Sequence, residues 1–272
     1  MSLSILNNIS ALQAENQLSI TSAAANKSLQ QLSSGSRINS GSDDAAGLAI
    51  SDGLNANVAA LNQSSLNATN AVGALQTADG ALAQITALLN RSVTLATEAS
   101  SSGLSTSQHT AINTEYQALL TQIDNINTNT AFNGTAVFGS TVSAFTSDGT
   151  NTVSISANVA ATGSSDLTVA AGTSKLDTAA DAQTALTALT AAISTVSAQR
   201  GTLGATVEQL QAASTVDTNE SQNLTSASSN ITSADISSVV ASDTKYSILQ
   251  QTGISALQQA NQQAQTVLKL LQ

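Results

Sequence analysis

The chain has 272 residues, with no Cys, Pro or Trp, only three Phe and two Tyr, and 7 basic against 17 acidic side chains for a net charge of −10. Its apolar content is therefore almost wholly Ala, Leu, Ile and Val, so a core must be built from many modest contacts along long elements, which points to an elongated, mainly α molecule. The scattered cations exclude a phosphate-binding surface, and with it nucleic acid and acidic membranes as partners, while the missing Cys excludes disulfides and thiolate metal sites.

The first residues, MSLSILNNISALQAENQL, carry neither a basic leader nor a continuous apolar stretch. Export, if it occurs, is expected to bypass the Sec route. No run of about 18 apolar residues is present to insert into a membrane. Next, RINSGSDDAAGLAISDGL (37–54) sets Asp43 and Asp44 just ahead of an Ala-rich helical stretch. Ser40, Ser42 and Asp43 are all competent N-caps, and a carboxylate in a first turn complements the helix dipole. That placement lowers a carboxyl pKa, the opposite of what a general acid needs. A hydrolase built on the two aspartates is the competing reading.

From Leu61 the positions Leu61, Ser64, Ala68, Ala71, Leu75, Ala78, Leu82, Ile85, Leu89, Ser92, Ala96 and Ala99 step by three and four without a break. This predicts a long helix with a coiled-coil-like seam, about 60 Å in length. SSSGLSTS interrupts it, with Ser105 or Thr106 as the cap of a second helix whose face is Ile112, Tyr116, Leu119, Ile123 and Ile126, ending near NTNTAFNG. His109, the single histidine, reads as a solvated surface residue of that Ser/Thr-rich cap. Gly47, Gly53, Gly73 and Gly80 fall inside helical pattern, each at a cost of roughly 0.5–1 kcal/mol relative to Ala, so these helices need neighbours.

Between about 135 and 172 the pattern changes. TVSAFTSDGTNTVSISANV alternates at period two around a turn at Asp148–Gly149, and LTVAAG follows. Two or three short strands in a small β-hairpin region are expected. Helical spacing then returns at Leu186, Leu189, Ile193, Val196, Arg200, Leu203, Val207 and Leu210, and again at Ile254, Leu257, Asn261, Ala264, Leu268 and Leu271. Asn261 is either a register-setting residue on a seam or a solvated position. No Walker A, GxSxG or GxGxxG element stands in a strand–turn–helix setting, and the acidic residues are too thinly spread for a metal site. No catalytic, metal or cofactor site is expected.

Several motifs, in order, carry a family resemblance: LQQLSSGSRINSGSDDAAGLAISDGL (29–54) followed by NQSSLNATNAVGALQTADGALAQI, then FNG (132–134), RGTLGA (200–205), LTSASSNITSADISS (224–238) and ILQQTGISALQQANQQAQTVLKLL. Together they resemble bacterial flagellins over roughly 1–140 and 181–272. The resemblance implies a long helical hairpin formed by paired N- and C-terminal segments. Residues 1–42 and 229–272 would form an inner core layer, 43–140 and 181–228 a helical rod, and 141–180 a short variable outer segment. It implies a non-enzymatic, extracellular subunit that polymerises with itself into the flagellar filament for swimming, and that meets an export chaperone, a filament cap and junction proteins. Terminal helices of this kind are expected to order on packing against other subunits. Candidate assembly contacts are Arg37, Ile38, Asn39, Asp43, Asp44, Leu257, Asn261, Ala264, Leu268 and Leu271. Arg200 stands either as a snorkelling seam residue or as a further contact.

Two departures bear on function. Flagellins recognised by Toll-like receptor 5 carry a stretch of the type LQRVRELA; here LNRSVTLA (89–96) keeps Arg91 and Leu95, with Glu115 matching on the facing helix, but has Val93 and Thr94 in place of Arg and Glu. Arg91, Leu95 and Glu115 are the immune-receptor-contact candidates. The alternative to a filament subunit is a hook–filament junction protein, a related class that commonly has a proline after the double aspartate. Here the sequence is Asp-Asp-Ala-Ala.

Overall fold

The computed structural model describes residues 8–147 and 152–270. The elements run α1 (Ile9–Ser34), α2 (Ala45–Ala99), α3 (Thr106–Asn129), β1 (Ala131–Phe132), β2 (Thr135–Ala136), β3 (Ser140–Ser147), β4 (Thr152–Val159), α4 (Ala179–Thr232) and α5 (Ile236–Leu270). The protein is thus mainly α with a small antiparallel region, as the periodicity predicts. It divides into two compact units, one of the residues up to Asn55 and from Leu224 onward, the other Ala56–Asn223. The divisions fall inside α2 and α4.

In the second unit the long seam behaves as its spacing requires. Every position from Leu61 to Ala99 named above is buried, because three–four stepping keeps one stripe of a 3.6-residue helix turned to the same neighbours. The stripe of α4 is displaced from expectation. Leu189, Val196, Leu203 and Leu210 are buried as predicted, but the other buried positions of the stripe are Ala182, Ala185, Ala192 and Thr206. Leu186, Ile193 and Val207 flank the core instead, half-buried against it. Small residues take the innermost places and larger ones close the margin, the order that close packing favours. A similar shift occurs in α3, where Leu120 is fully buried beside the predicted Ile112, Tyr116 and Ile123 while Leu119 is half-buried. Ser105 caps α3 through a reciprocal capping box with Gln108.

The strands follow alternation. β1 pairs with β2, and β3 with β4, both antiparallel, in a register that sets Ala144 opposite Ile155 and Phe145 opposite Ser154. Ala144, Ala157 and Val159 are buried, with Val142 and Ile155 packed against the same core. The expected turn at Asp148–Gly149 lies outside the described residues.

LTVAAG is not a third strand. Residues 160–178 form turns, with Leu167, Val169 and Leu176 buried and Thr168 in the left-handed region at φ 61°. A strand would meet its backbone groups with another strand; here the Leu167, Thr168 and Val169 N–H groups donate to the Gly163, Ser165 and Ser164 carbonyls of their own turn, and side chains of α3 hold the turns on either side. The Asn127 Oδ1 accepts from the Thr162 N–H at 2.8 Å, and Asp124 Oδ1 accepts from the Ser164 N–H at 2.7 Å. Gln117 Oε1 accepts from the Gly172 N–H, and Asn113 Oδ1 from the Leu176 N–H. His109 completes this ladder and corrects its expected surface role. It is 8% exposed, and its Nδ1 lies 2.9 Å from the Leu176 carbonyl. A carbonyl can only accept, so Nδ1 carries the proton.

Candidate assembly surface

In the first unit, α1 and α5 pack together, and the fully buried residues of α1 are small or polar. Thr21, Ala25 and Ser28 are the buried positions of α1. On α5, Gly253 lets the helices approach, since a Cβ there would lie 3.3 Å from the Leu18 side chain. Leu18, Leu32, Val239 and Leu257 are half-buried, but most of the large aliphatic side chains face away. Ile9, Leu12, Ile20 and Leu29 on α1, and Ile236, Val240, Ile248, Leu249 and Ile254 on α5, are all exposed, Ile9, Leu12, Ile20 and Ile248 at 60–63%. Among the described residues the second unit exposes only Leu66, Phe145 and Val216 in the same class. The amphipathic order of α1 and α5 is therefore inverted relative to a self-sufficient helix pair.

The turns that end α1 and begin α5 are stitched to each other. Ser36 and Ser233 form an antiparallel bridge, Ala234 N–H donates to the Gly35 carbonyl at 3.0 Å, and Arg37 N–H donates to the Thr232 carbonyl. The Arg37 guanidinium donates to the Ile231 carbonyl at 2.9 Å, and Gln31 Nε2 to the Arg37 carbonyl at 2.9 Å. Gly35 makes the turn possible at φ 68°, where its N–H donates to the Gln31 carbonyl and closes α1. Asp235 caps α5 by accepting from the Ser237 and Ser238 N–H groups. A cleft of about 380 Å³ opens beside this joint, with Lys27, Arg37, Asp235 and Tyr246 among its walls.

Asp43 and Asp44 divide the work at the start of α2, and the cap is none of the three expected residues Ser40, Ser42 and Asp43. Asp44 is the cap of α2, accepting from the Gly47 N–H at 2.8 Å. Asp43 instead organises the preceding turn. Its Oδ2 accepts from the Asn39 and Ser40 N–H groups at 3.1 Å, and its Oδ1 lies 2.8 Å from Lys27 Nζ on α1. The Lys27 ammonium and the Asn39 N–H together hold its carboxyl down at about 2. A carboxyl held ionised cannot act as a general acid near neutrality. The pair builds a turn.

Of the other candidates, Ile38 is buried at 6% and anchors the turn, while Asn39 donates from Nδ2 to the Ser36 carbonyl. On α5, Leu257 is half-buried, whereas Ile254 and Asn261 are exposed. The α5 stripe turned inward is thus Gly253, Leu257 and Ala260, one step from the expected Ile254–Leu257–Asn261, and Asn261 is not a seam residue within this chain. Ala264 and Leu268 lie in helical backbone, and Leu271 is outside the described residues. Arg91 and Glu115 do meet, with Nε and Nη2 both on one carboxylate oxygen at 2.9 and 2.6 Å. Leu95 is 2% exposed and offers no surface, which corrects its place among the receptor-contact candidates. Arg200 is spent in a bidentate pair with Asp79 at 2.7 and 3.2 Å rather than snorkelling.

The outward aliphatics of α1 are not among the expected contacts, although the mostly small residues at Ala11, Ala14, Leu18, Thr21, Ala25 and Ser28 step by three and four along the face that turns inward. Among the described residues no group of three or more His, Asp or Glu could hold a metal, and no helix is long and apolar enough to cross a membrane.

Comparison with known proteins gives this surface a context. Residues 5–143 match the bacterial flagellin N-terminal helical region and residues 186–271 the bacterial flagellin C-terminal helical region. The chain is 33% identical to the flagellin of Bacillus subtilis (strain 168), over 98% of this chain and 99% of that one. It is 30% identical to the flagellar filament 33 kDa core protein of Treponema phagedenis, with the same shares covered. The crystal structure of Bacillus cereus flagellin superposes with a TM-score of 0.50 at 26% identity, covering 56% of this chain and 88% of that one. The chain belongs to the bacterial flagellin family, whose members are structural, non-enzymatic subunits that polymerise with themselves into the extracellular flagellar filament of motile bacteria.

Proposed function

We propose that α1 and α5, with the segments 1–42 and 229–272 that contain them, are the polymerising elements of this filament subunit and form its inner layer. One observation carries this reading: the helix pair buries Thr21, Ala25 and Ser28, brings Gly253 against Leu18, and leaves nine of the described Ile, Leu and Val side chains exposed. Fully burying each such side chain contributes roughly 1.5–3 kcal/mol, so the stabilisation forgone by the single chain is recovered when copies pack together. Segments 43–140 and 181–228 then serve as the rod layer, and 141–180 as a small outward feature. Arg37, Ile38, Asn39, Asp43 and Asp44 act by shaping the joint, and Leu257, Asn261, Ala264, Leu268 and Leu271 by packing along the inner layer.

Export by a route other than Sec, and contacts with an export chaperone, a filament cap and junction proteins, complete the proposed role. The outward aliphatic face suits a chaperone that shields it before assembly. Arg91 and Glu115 remain surface groups through which an innate immune receptor could engage the rod. No observation favours the hook–filament junction reading.

The test is polymerisation of the full-length chain carrying Ile20→Ser and Ile248→Ser, followed by sedimentation and negative-stain microscopy. Monomer helicity by circular dichroism is expected to be unchanged, because both residues are solvent-exposed, while seeded filament growth is lost. Growth at the parent rate would show that this face is not the polymerising one.

A further inference from the structure

The second unit holds an open notch and an exposed aromatic ring. Across α2 and α4, Gly80 and Gly204 lie at an opening of about 290 Å³ with Leu75, Leu203 and Val207 among its lining residues. A Cβ added at either glycine would meet nothing within 4 Å, so the space is made by the missing side chains. Its size falls just below the range of small-molecule sites, roughly 300–1,000 Å³, and suits one large side chain entering as a knob into a hole. At its rim the Asp79–Arg200 ion pair neutralises itself. The rim therefore offers no net charge to an entering group, which matters in a chain whose net charge is −10.

Phe145 is the anomaly on the hairpin. The solvent face of β3 and β4 otherwise presents Thr141, Ser143, Ser154, Ser156 and Asn158, yet Phe145 projects there at 55% exposure. The other four aromatic residues of the chain are buried or half-buried. β3 and β4 contain no charged residue, so the strand pair is matched to a neutral rim. The ring is not seated in its own notch, as its exposure shows. Its backbone carbonyl accepts from Asn67 Nδ2 at 3.3 Å, and Gly80 lies thirteen residues further along α2, about 20 Å away.

We propose that the notch of Leu75, Gly80, Leu203, Gly204 and Val207 is the socket for the Phe145 side chain of a neighbouring copy in the filament. The proposal rests on the filament-subunit assignment. A knob and a socket displaced along one rod form a heterologous contact, which propagates as an open series rather than closing on itself. The single exposed aromatic supplies the anchor that such interfaces concentrate their energy in.

The chain has no cysteine, which makes cross-linking clean. In full-length protein carrying Phe145→Cys and Gly204→Cys, mild oxidation of sedimented filaments is expected to give a reducible ladder of trimers and longer oligomers, absent from oxidised monomer and from either single variant. A filament with no ladder beyond the single variants overturns the proposal. So does a ladder from Leu66→Cys with Gly204→Cys in place of the Phe145 pair. Should the double variant not sediment, Phe145→Ala in the otherwise unchanged chain decides: a critical concentration raised about tenfold or more supports the socket, and a change below about twofold overturns it. Failure of the unsubstituted chain to sediment would count against the filament assignment instead, so the two failures are distinct.

Discussion

Gly47→Ala inverts the usual effect of that substitution. In a helix interior, alanine ordinarily gains roughly 0.5–1 kcal/mol over glycine by restricting the unfolded chain. At position 47 the new methyl would lie 2.6 Å from Asp44 Oδ2 and 2.8 Å from Ile38 Cδ1. The carboxylate is the cap of α2 and Ile38 is buried, so neither can yield without loss. Losing the cap costs about 0.5–2 kcal/mol, and displacing a packed side chain about 1–3. Against the helical gain, the net expectation is a destabilisation of roughly 1–4 kcal/mol, confined to the joint. Gly53→Ala is the internal control, because its Cβ meets nothing within 4 Å and should gain the ordinary amount. Native-state hydrogen exchange on monomer reads both: amides of residues 36–50 should open about fivefold to several hundredfold more readily in Gly47→Ala, and slightly less readily in Gly53→Ala. If Gly47→Ala protects the joint as well as Gly53→Ala does, the account of the cap and its packing against Ile38 is wrong.

Two further outcomes follow from the same geometry. Asp43 has its carboxyl lowered from 3.8 to about 2 by Lys27 and the Asn39 N–H, so its contribution to the joint is fully present above pH 3.8 and fades as pH falls toward 2; exchange protection at residues 36–44 should fall through that window, and Asp43→Asn should start weaker at neutral pH and lose that part of the acid dependence. His109→Leu removes the donor to the Leu176 carbonyl and leaves a buried acceptor unpaired, which costs about 1–3 kcal/mol; a lowered melting temperature with faster exchange in residues 162–176 is the expected readout, and unchanged exchange there would show that the ladder does not depend on it.

The chemical character of the chain is legible without coordinates. A composition of Ala, Leu, Ile, Val, Ser and Thr with three–four stepping determines long helices, since one stripe must stay turned toward neighbours for a core to form at all. The seam from Leu61 to Ala99 is buried throughout as spaced, and Ser105 caps α3, because both are local consequences of helical period and backbone chemistry. Alternation likewise determines β3 and β4.

Tertiary structure decides what local rules leave degenerate. Two stripes of α4 differ by one residue, and only the neighbours select Ala185 and Ala192 over Leu186 and Ile193 for the innermost places. LTVAAG has the composition of a strand, yet its backbone N–H groups are met by the carbonyls and the Ser164 hydroxyl of the turn just before it and, at Gly172, by Gln117 of α3, so it needs no strand beside it. His109 reads as polar surface until Leu176 is folded over it. Above all, periodicity identifies the apolar residues of α1 and α5 but not which side they face. That choice is set by close approach at Gly253 and at the small residues of α1, and it leaves most of the large side chains exposed. Period is a property of one helix, whereas the direction of a face is a property of the pair.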